Sequence, residues 1–219
     1  MTSVLAHALA LARRGHAVLP LVWPVTVNGR TVCSCRKAAD CPAPAKHPFG
    51  KLAPNGLLSA TTEPGIIKGW FGHQAPDANL GVCTDKLIAL DIDPRHNGDE
   101  SLRELERTHG ALPPTWRVLT GGGGEHVIYA CPAGCNVGSS QAGDTPVLGP
   151  GIDVRARSGY LVAPPSTHIG GRSYAWSVDH HPADVALAEP PPWLLALLAR
   201  RPVQMRVPVP REQWSARGR

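Results

Sequence analysis

No run in this chain approaches the ~18 consecutive apolar residues that a membrane helix needs, so no membrane partner is expected. There is no internal repeat and no phosphate-binding loop of the type in which a glycine run leads into Gly-Lys-Ser/Thr. A secretory signal is not expected either. Arg13 and Arg14 follow the first apolar run instead of preceding it, and no small-residue cleavage site is evident. A cytoplasmic chain is the reading, in which six cysteines are thiols or metal ligands and not disulfides. Low complexity is excluded as well: 23 Gly and 23 Pro among 219 residues make about a fifth, below the roughly 25–30% that marks such chains. Hydrophobic residues at 42% suffice for a folded body.

A basic coat is also lacking. The net charge is +5, but residues 200–219 hold Arg200, Arg201, Arg206, Arg211, Arg217 and Arg219 against Glu212 alone, which accounts for all of it. The sequence therefore divides into a neutral body, residues 1–199, and a Pro/Arg-rich tail, 200–219, expected to be disordered. Any binding of nucleic acid by the body must come from local placement of charge.

What is present reads as an α+β domain. Val4, Leu5, Ala8, Leu9 and Ala12 form the inner face of a helix capped by Thr2 or Ser3 and ended by Gly15. A strand over 17–22 follows, then a Cys-rich loop over 33–48. Glu63-Pro64 opens a helix carrying Ile66, Ile67, Trp70 and Phe71. Strands are expected over 80–83, 87–93, 116–120 and 126–130, over 152–156 and 160–163 as a hairpin, and over 172–177. Asp99 is expected to cap a helix running to His109, and Pro190–Pro192 to open a last one through Ala199.

Four elements carry chemistry. The strand Ile88-Ala89-Leu90-Asp91-Ile92-Asp93 ends in two carboxylates that alternation places on one face. Like charges so placed want a cation between them, and Mg²⁺ or Mn²⁺ suits carboxylate oxygens; the competing reading is a solvent-facing pair beside Arg95 and His96. In Gly151-Ile152-Asp153-Val154-Arg155, Asp153 and Arg155 share the face opposite the apolar pair. Asp153 is then a third carboxylate for a two-metal platform and Arg155 a phosphate clamp, unless Asp153 simply pairs with Arg157. In Thr120-Gly121-Gly122-Gly123-Gly124-Glu125-His126, bare backbone around Gly122 and the His126 imidazole are candidates to meet phosphate; a flexible loop is the alternative. Cys33-x-Cys35-x5-Cys41-x5-His47 offers a Cys₃His zinc set, with Lys46 and Lys51 placed to reach nucleotide or template phosphates; reduced thiols in a loop are the alternative. Cys131 and Cys135 read as loop thiols and Cys83 as a core residue.

In this order the elements resemble the prim-pol family, the N-terminal bifunctional DNA primase/polymerase domains, over roughly residues 5–198. Its acidic-pair motif is matched by Asp91-Ile92-Asp93, its small-x-His motif by Gly124-Glu125-His126, and its apolar-Asp motif by Ile152-Asp153. Asn79-Leu80-Gly81-Val82, Leu112-Pro113 with Thr115, Gly159-Tyr160 and Ala163 to His168 match around them. The resemblance implies an RRM-like catalytic sheet fused to an N-terminal α/β unit. It implies nucleotidyl transfer on a single-stranded template or primer-template, with nucleoside triphosphates as substrate. Asp91, Asp93 and Asp153 would hold the metals and His126 the triphosphate. Many relatives carry a helicase module after this domain, which makes a replicative helicase a candidate partner. The second acidic position, often Glu in the family, is Asp93 here. Two other readings stand: a catalytically silent nucleic-acid-binding module, and a metal-dependent nuclease or phosphotransferase on a similar sheet.

Overall fold

The computed structural model describes residues 3–140 and 148–199; the basic tail lies outside them. In chain order the elements are α1 (Val4–Arg13), β1 (Val18–Leu21), β2 (Pro24–Val27), β3 (Arg30–Cys33), α2 (Pro64–Gly69), β4 (Asn79–Cys83), β5 (Leu87–Ile92), α3 (Gly98–His109), β6 (Trp116–Leu119), β7 (Glu125–Ala130), β8 (Ile152–Arg155), β9 (Tyr160–Ala163), β10 (Ala175–Trp176) and α4 (Pro192–Ala199). The fold is mixed α+β, and its strands pair antiparallel throughout the named sheets.

A five-stranded sheet runs in the order β10-β6-β7-β5-β8, and a three-stranded one in the order β1-β4-β9. Period-two alternation gives the larger sheet two different faces. Ile88, Leu90, Ile92, Val127, Tyr129, Ile152 and Val154 bury one face against Leu102 of α3 and Leu194 and Leu198 of α4. Ala89, Trp116, Val118 and Ile128 on the other face join the core of the small sheet, with Leu80, Val82 and Leu161, and the helix residues Ala8, Leu11, Ile67 and Phe71. At the far end of this second face the apolar residues give way to His126, Asp91, Asp153 and Arg155.

Helix ends follow the sequence signals. The Ser3 side chain accepts the Ala6 N–H at 3.2 Å to start α1, and Pro64 stands at the first turn of α2. At α3 the expectation shifts: Asn97, at φ +65°, is the cap, and Asp99 sits inside the first turn bound to Arg103 at 2.6 Å. The connection of β8 and β9 corrects a second expectation. They are not a hairpin, because β8 pairs with β5 and β9 with β4; the turn at 156–159 carries the chain between sheets. The expected strand over 172–177 shrinks to Ala175–Trp176. The hairpin β2–β3 was not foreseen, although Asn28-Gly29, at φ +50° and +73°, is the turn that joins such strands.

Two glycine positions are fixed by close approach near the acidic strand end. A Cβ on Gly124 would stand 2.2 Å from the Ile92 carbonyl oxygen. One on Gly151, itself at φ +71°, would stand 2.5 Å from the Gly98 nitrogen. These contacts press the glycine loop and the start of β8 against the end of β5.

Candidate active site

Strand β5 is flanked by β7 and β8. Its register sets Asp91 opposite His126 on one side and opposite Asp153 on the other. Three polar side chains thus form one cross-strand row on one face. The imidazole Nε2 of His126 lies 3.5 Å from Asp91 Oδ1. His126 is buried, and its Nδ1 has no hydrogen-bond partner among the described residues. Directly opposed carboxylates repel, and Arg155 answers this: its Nη2 is 3.0 Å from Asp153 Oδ2 and 3.8 Å from Asp91 Oδ2. The alternative partner Arg157 binds Asn136 instead, at 2.8 Å. Burial would raise the Asp91 carboxyl, but the His126 hydrogen bond and the charges of His126, Arg155 and Lys46 outweigh it and hold Asp91 below the usual range.

Asp93 lies one residue past the end of β5 and caps the short turn Pro94–His96. It is bound there by Arg95 and His96, and the Arg95 contacts above all hold its carboxyl well below the usual range. Ser140 fastens the edge strand β8. Its Oγ accepts the Val154 N–H at 2.6 Å and lies 3.5 Å from Asp153 Oδ1.

The glycine loop closes on Thr120, whose Oγ1 accepts the Gly124 N–H at 3.0 Å and whose carbonyl accepts the Gly123 N–H at 3.0 Å. Gly121 packs against the backbone of Arg172, Gly123 sits at φ +94°, and Gly124 abuts β5. Gly122 alone of the four is required by neither packing nor backbone. A Cβ there would make only ordinary contacts, 3.8 Å to Arg95 Nη2 and 4.0 Å to His168 Nε2. The Arg172 guanidinium lies 3.4 Å from the Cβ position of Gly123. His168 Nδ1 accepts the Gly170 N–H at 3.1 Å, which leaves Nε2–H as the donor facing Gly122. Burial first, then the charges of Lys46, Arg95 and Arg172, lowers the His168 pKa. The charge of Lys46 acts on Asp91 as well, and its carbonyl accepts the Tyr160 hydroxyl at 3.1 Å, which ties the Cys-rich loop to β9.

The sequence names Gly122 and Lys46 as site residues and places His168 in the family-matching stretch only as a hydrogen-bonding strand end, while Arg95 and Arg172 are not among its site residues. Arg95 stands beside the acidic pair and read as a solvent partner, while His168 and Arg172 lie about fifty residues beyond the loop they meet. Lys51 is exposed and makes no hydrogen bond or ion pair among the described residues.

The second site is the Cys-rich loop. Ligand atoms of Cys33, Cys35, Cys41 and His47 all lie within 4.8 Å of one another. A tetrahedral zinc with Zn–S of ~2.3 Å sets ligand atoms about 3.7 Å apart, so these donors fit that ion in number, softness and spacing. The carbonyl oxygen of Pro48 must accept from His47 Nδ1, 3.0 Å away, which leaves the Nε2 lone pair free to ligate. Burial raises Cys41 to about 11. Burial also opposes ionisation of Cys35, but hydrogen bonds from His47, the Lys37 backbone and the neighbouring thiols bring it down to about 6. The loop's own core is only Val22, Cys33 and Cys41, with Cys35 and Phe49 beside it. Its backbone holds Ala38 at φ +45° and Ala45 at φ +61°, each costing about 1–2 kcal/mol. Buried Asn79 ties it down by donating to the Ala45 carbonyl at 2.9 Å and to the Thr167 carbonyl at 2.8 Å.

A family model for the N-terminal domain of bifunctional DNA primase/polymerases, Prim-Pol, matches residues 8–193. The chain belongs to that family, which implies an enzyme of the nucleotidyltransferase type acting on DNA with nucleotides. A search of the curated proteins returned no match. No helix among the described residues is long and apolar enough to cross a membrane.

Proposed function

We propose that the protein is a metal-dependent DNA primase or polymerase that joins nucleotides on a single-stranded or primed DNA template. The observation that carries this reading is the row His126–Asp91–Asp153, which the glycine loop adjoins with its surround of Lys46, Arg95, His168 and Arg172. The paired Asp91 and Asp153 carboxylates on one side and the basic groups around Gly122 on the other suit the two halves of a metal-bound triphosphate, with Asp93 and its Arg95 partner between them. The strand order β6-β7-β5-β8, with α3 crossing over between β5 and β6, supports the RRM-like assignment of this sheet.

Asp91, Asp93 and Asp153 are hard oxygen donors and fit Mg²⁺ or Mn²⁺. When bound, such ions stabilise the attacking and leaving oxygens. The residues of the chain do the rest. Asp91 and Asp153 fix one edge of the site, and His126 holds the Asp91 carboxylate in place. Gly122 leaves room for phosphate oxygens to approach His168, Arg95 and Arg172, while Arg155 neutralises the carboxylates and the transferred phosphate. The 3′-hydroxyl gives up its proton to solvent as its oxygen bonds to the α-phosphorus, the bond to the bridging oxygen breaks, and pyrophosphate leaves.

Cys33, Cys35, Cys41 and His47 would hold a zinc ion that orders a loop and hairpin carrying Arg30, Arg36, Lys37, Lys46 and Lys51 against Asp40. This is the local positive surface that a neutral body needs to hold template phosphates. A replicative helicase is a fitting partner, and reduced thiols fit a cytoplasmic setting.

A labelled primer on a longer template, incubated with deoxynucleotides and Mn²⁺, tests the reading. Ladder products above the primer are expected. Shortened products would point to a nuclease, and an unchanged primer bound equally well with and without metal would point to a silent binding module.

A further inference from the structure

The Asp93 carboxylate has no capacity left. Oδ1 accepts the Arg95 backbone N–H at 3.0 Å and Arg95 Nε at 2.9 Å; Oδ2 accepts Arg95 Nη2 at 2.8 Å and lies 3.1 Å from His96 Nδ1. Two oxygens offer about four lone-pair sites, and four nitrogens fill them. A metal ligand must give up some of these contacts first. The same guanidinium sits at the border of the two halves of the site. Its Nη2 is 3.8 Å from the Cβ position of Gly122, and its charge reaches His168. The Arg95 side chain is 65% exposed, so rotation about its own bonds is open to it without movement of the backbone.

We infer that Arg95 is an exchangeable counter-ion: it closes Asp93 in the free enzyme and turns onto the phosphate oxygens over Gly122 when metal and nucleotide bind together. This rests on the nucleotidyl-transfer reading above. A planar guanidinium makes the same two-pronged contact with phosphate as with carboxylate, so one fork is traded for another. Arg155 is placed differently, with its contacts on Asp153 and Asp91, away from the glycine loop. Arg172 touches the loop but no carboxylate among the described residues. Of these three arginines, Arg95 is the one that contacts a carboxylate and also stands over Gly122.

The exchange predicts an asymmetric response to Arg95→Ala in the full chain. Mn²⁺ binding without nucleotide, followed by the loss of the free-ion paramagnetic resonance signal, should tighten about fivefold, because Asp93 is no longer occupied. Binding of a non-hydrolysable deoxynucleotide triphosphate should weaken about fivefold or more with Mn²⁺ present, yet change less than twofold in chelator, where Arg95 stays on Asp93. Arg172→Ala, which removes equal charge from the same loop, should weaken the nucleotide in both conditions and leave Mn²⁺ affinity within twofold. The inference is overturned if Arg95→Ala leaves Mn²⁺ binding unchanged or weaker, or weakens the nucleotide equally with and without metal. If the unaltered protein binds neither Mn²⁺ nor nucleotide, the nucleotidyl-transfer reading itself falls and the exchange with it. If it binds both and the asymmetry is missing, only the exchange falls.

Discussion

The two candidate metal sites solve the same problem in opposite ways. The Cys33, Cys35, Cys41 and His47 loop gathers soft donors within 4.8 Å of one another, with Cys33 and Cys41 buried. It has almost no apolar core, so an ion is what can hold it together. The carboxylate edge needs no ion to fold. Asp91 and Asp153 are carried by paired strands, and Arg155 and Arg95 already balance their charge and that of Asp93. On the proposed function the first site would be completed by its metal, whereas the second would have to let metal enter and leave, with the arginines balancing the carboxylates meanwhile. Asn79 and Lys46 connect the two, one through the Ala45 carbonyl and the other through its charge on Asp91.

The sharpest way to break this contrast is to mutate each site and read both fold and activity. Asp153→Asn should lower primer extension about a thousandfold, an effect of about 4 kcal/mol on the barrier, with no loss of melting temperature, since it relieves repulsion with Asp91. Cys41→Ser should do the reverse. Bound zinc, measured by a colorimetric chelator, should be lost and the melting temperature should fall by about 5–10 °C, with weakened rather than abolished extension. Gly122→Ala comes next: the melting temperature should stay within about 2 °C, because the new methyl meets only ordinary contacts, while nucleotide KM rises several-fold. A larger loss of stability would show that the loop is a packing element and not a ligand cradle.

The smallest effect is in acid. The Asp93 pKa is lowered in the fold, chiefly by Arg95, so its contribution is present above the ordinary aspartate value of about 3.9 and is lost as pH falls below that toward the folded-state value. Much of Arg95 is exposed, so solvent screens the pair and keeps its contribution small. Asp93→Asn should therefore flatten the fall of denaturant stability below pH 4 only slightly.

Much of this was legible in the sequence because it is local. The apolar strand ending in Asp91-Ile92-Asp93, the Ser3 and Pro64 helix starts, and the Cys/His spacing each lie within a dozen or so residues. Long-range pairing was not legible. Nothing in Ile152–Tyr160 says that β8 and β9 part to different sheets, and a tight turn between apolar runs reads as a hairpin. The same limit hid Arg172 and the place of His168 at the glycine loop, which both reach because Thr167 and Ser173 bridge across the turn between them. Arg95 was in plain view, but its double reach needs the register that sets Gly122 beside the end of β5. The hairpin at Asn28-Gly29 did carry a local signal, and it was missed beside the louder cysteines.

On the proposed function the carboxylate row does the chemistry while the cysteine loop holds structure. The most direct test of this division is template-directed extension of a labelled primer with Mn²⁺, run on the unaltered protein and on Asp91→Asn with zinc content measured in the same samples. Extension is expected from the first, none above background from the second, and equal zinc, about one ion per chain, in both. Undiminished extension by Asp91→Asn, or none by either protein while both hold their zinc, would contradict this division.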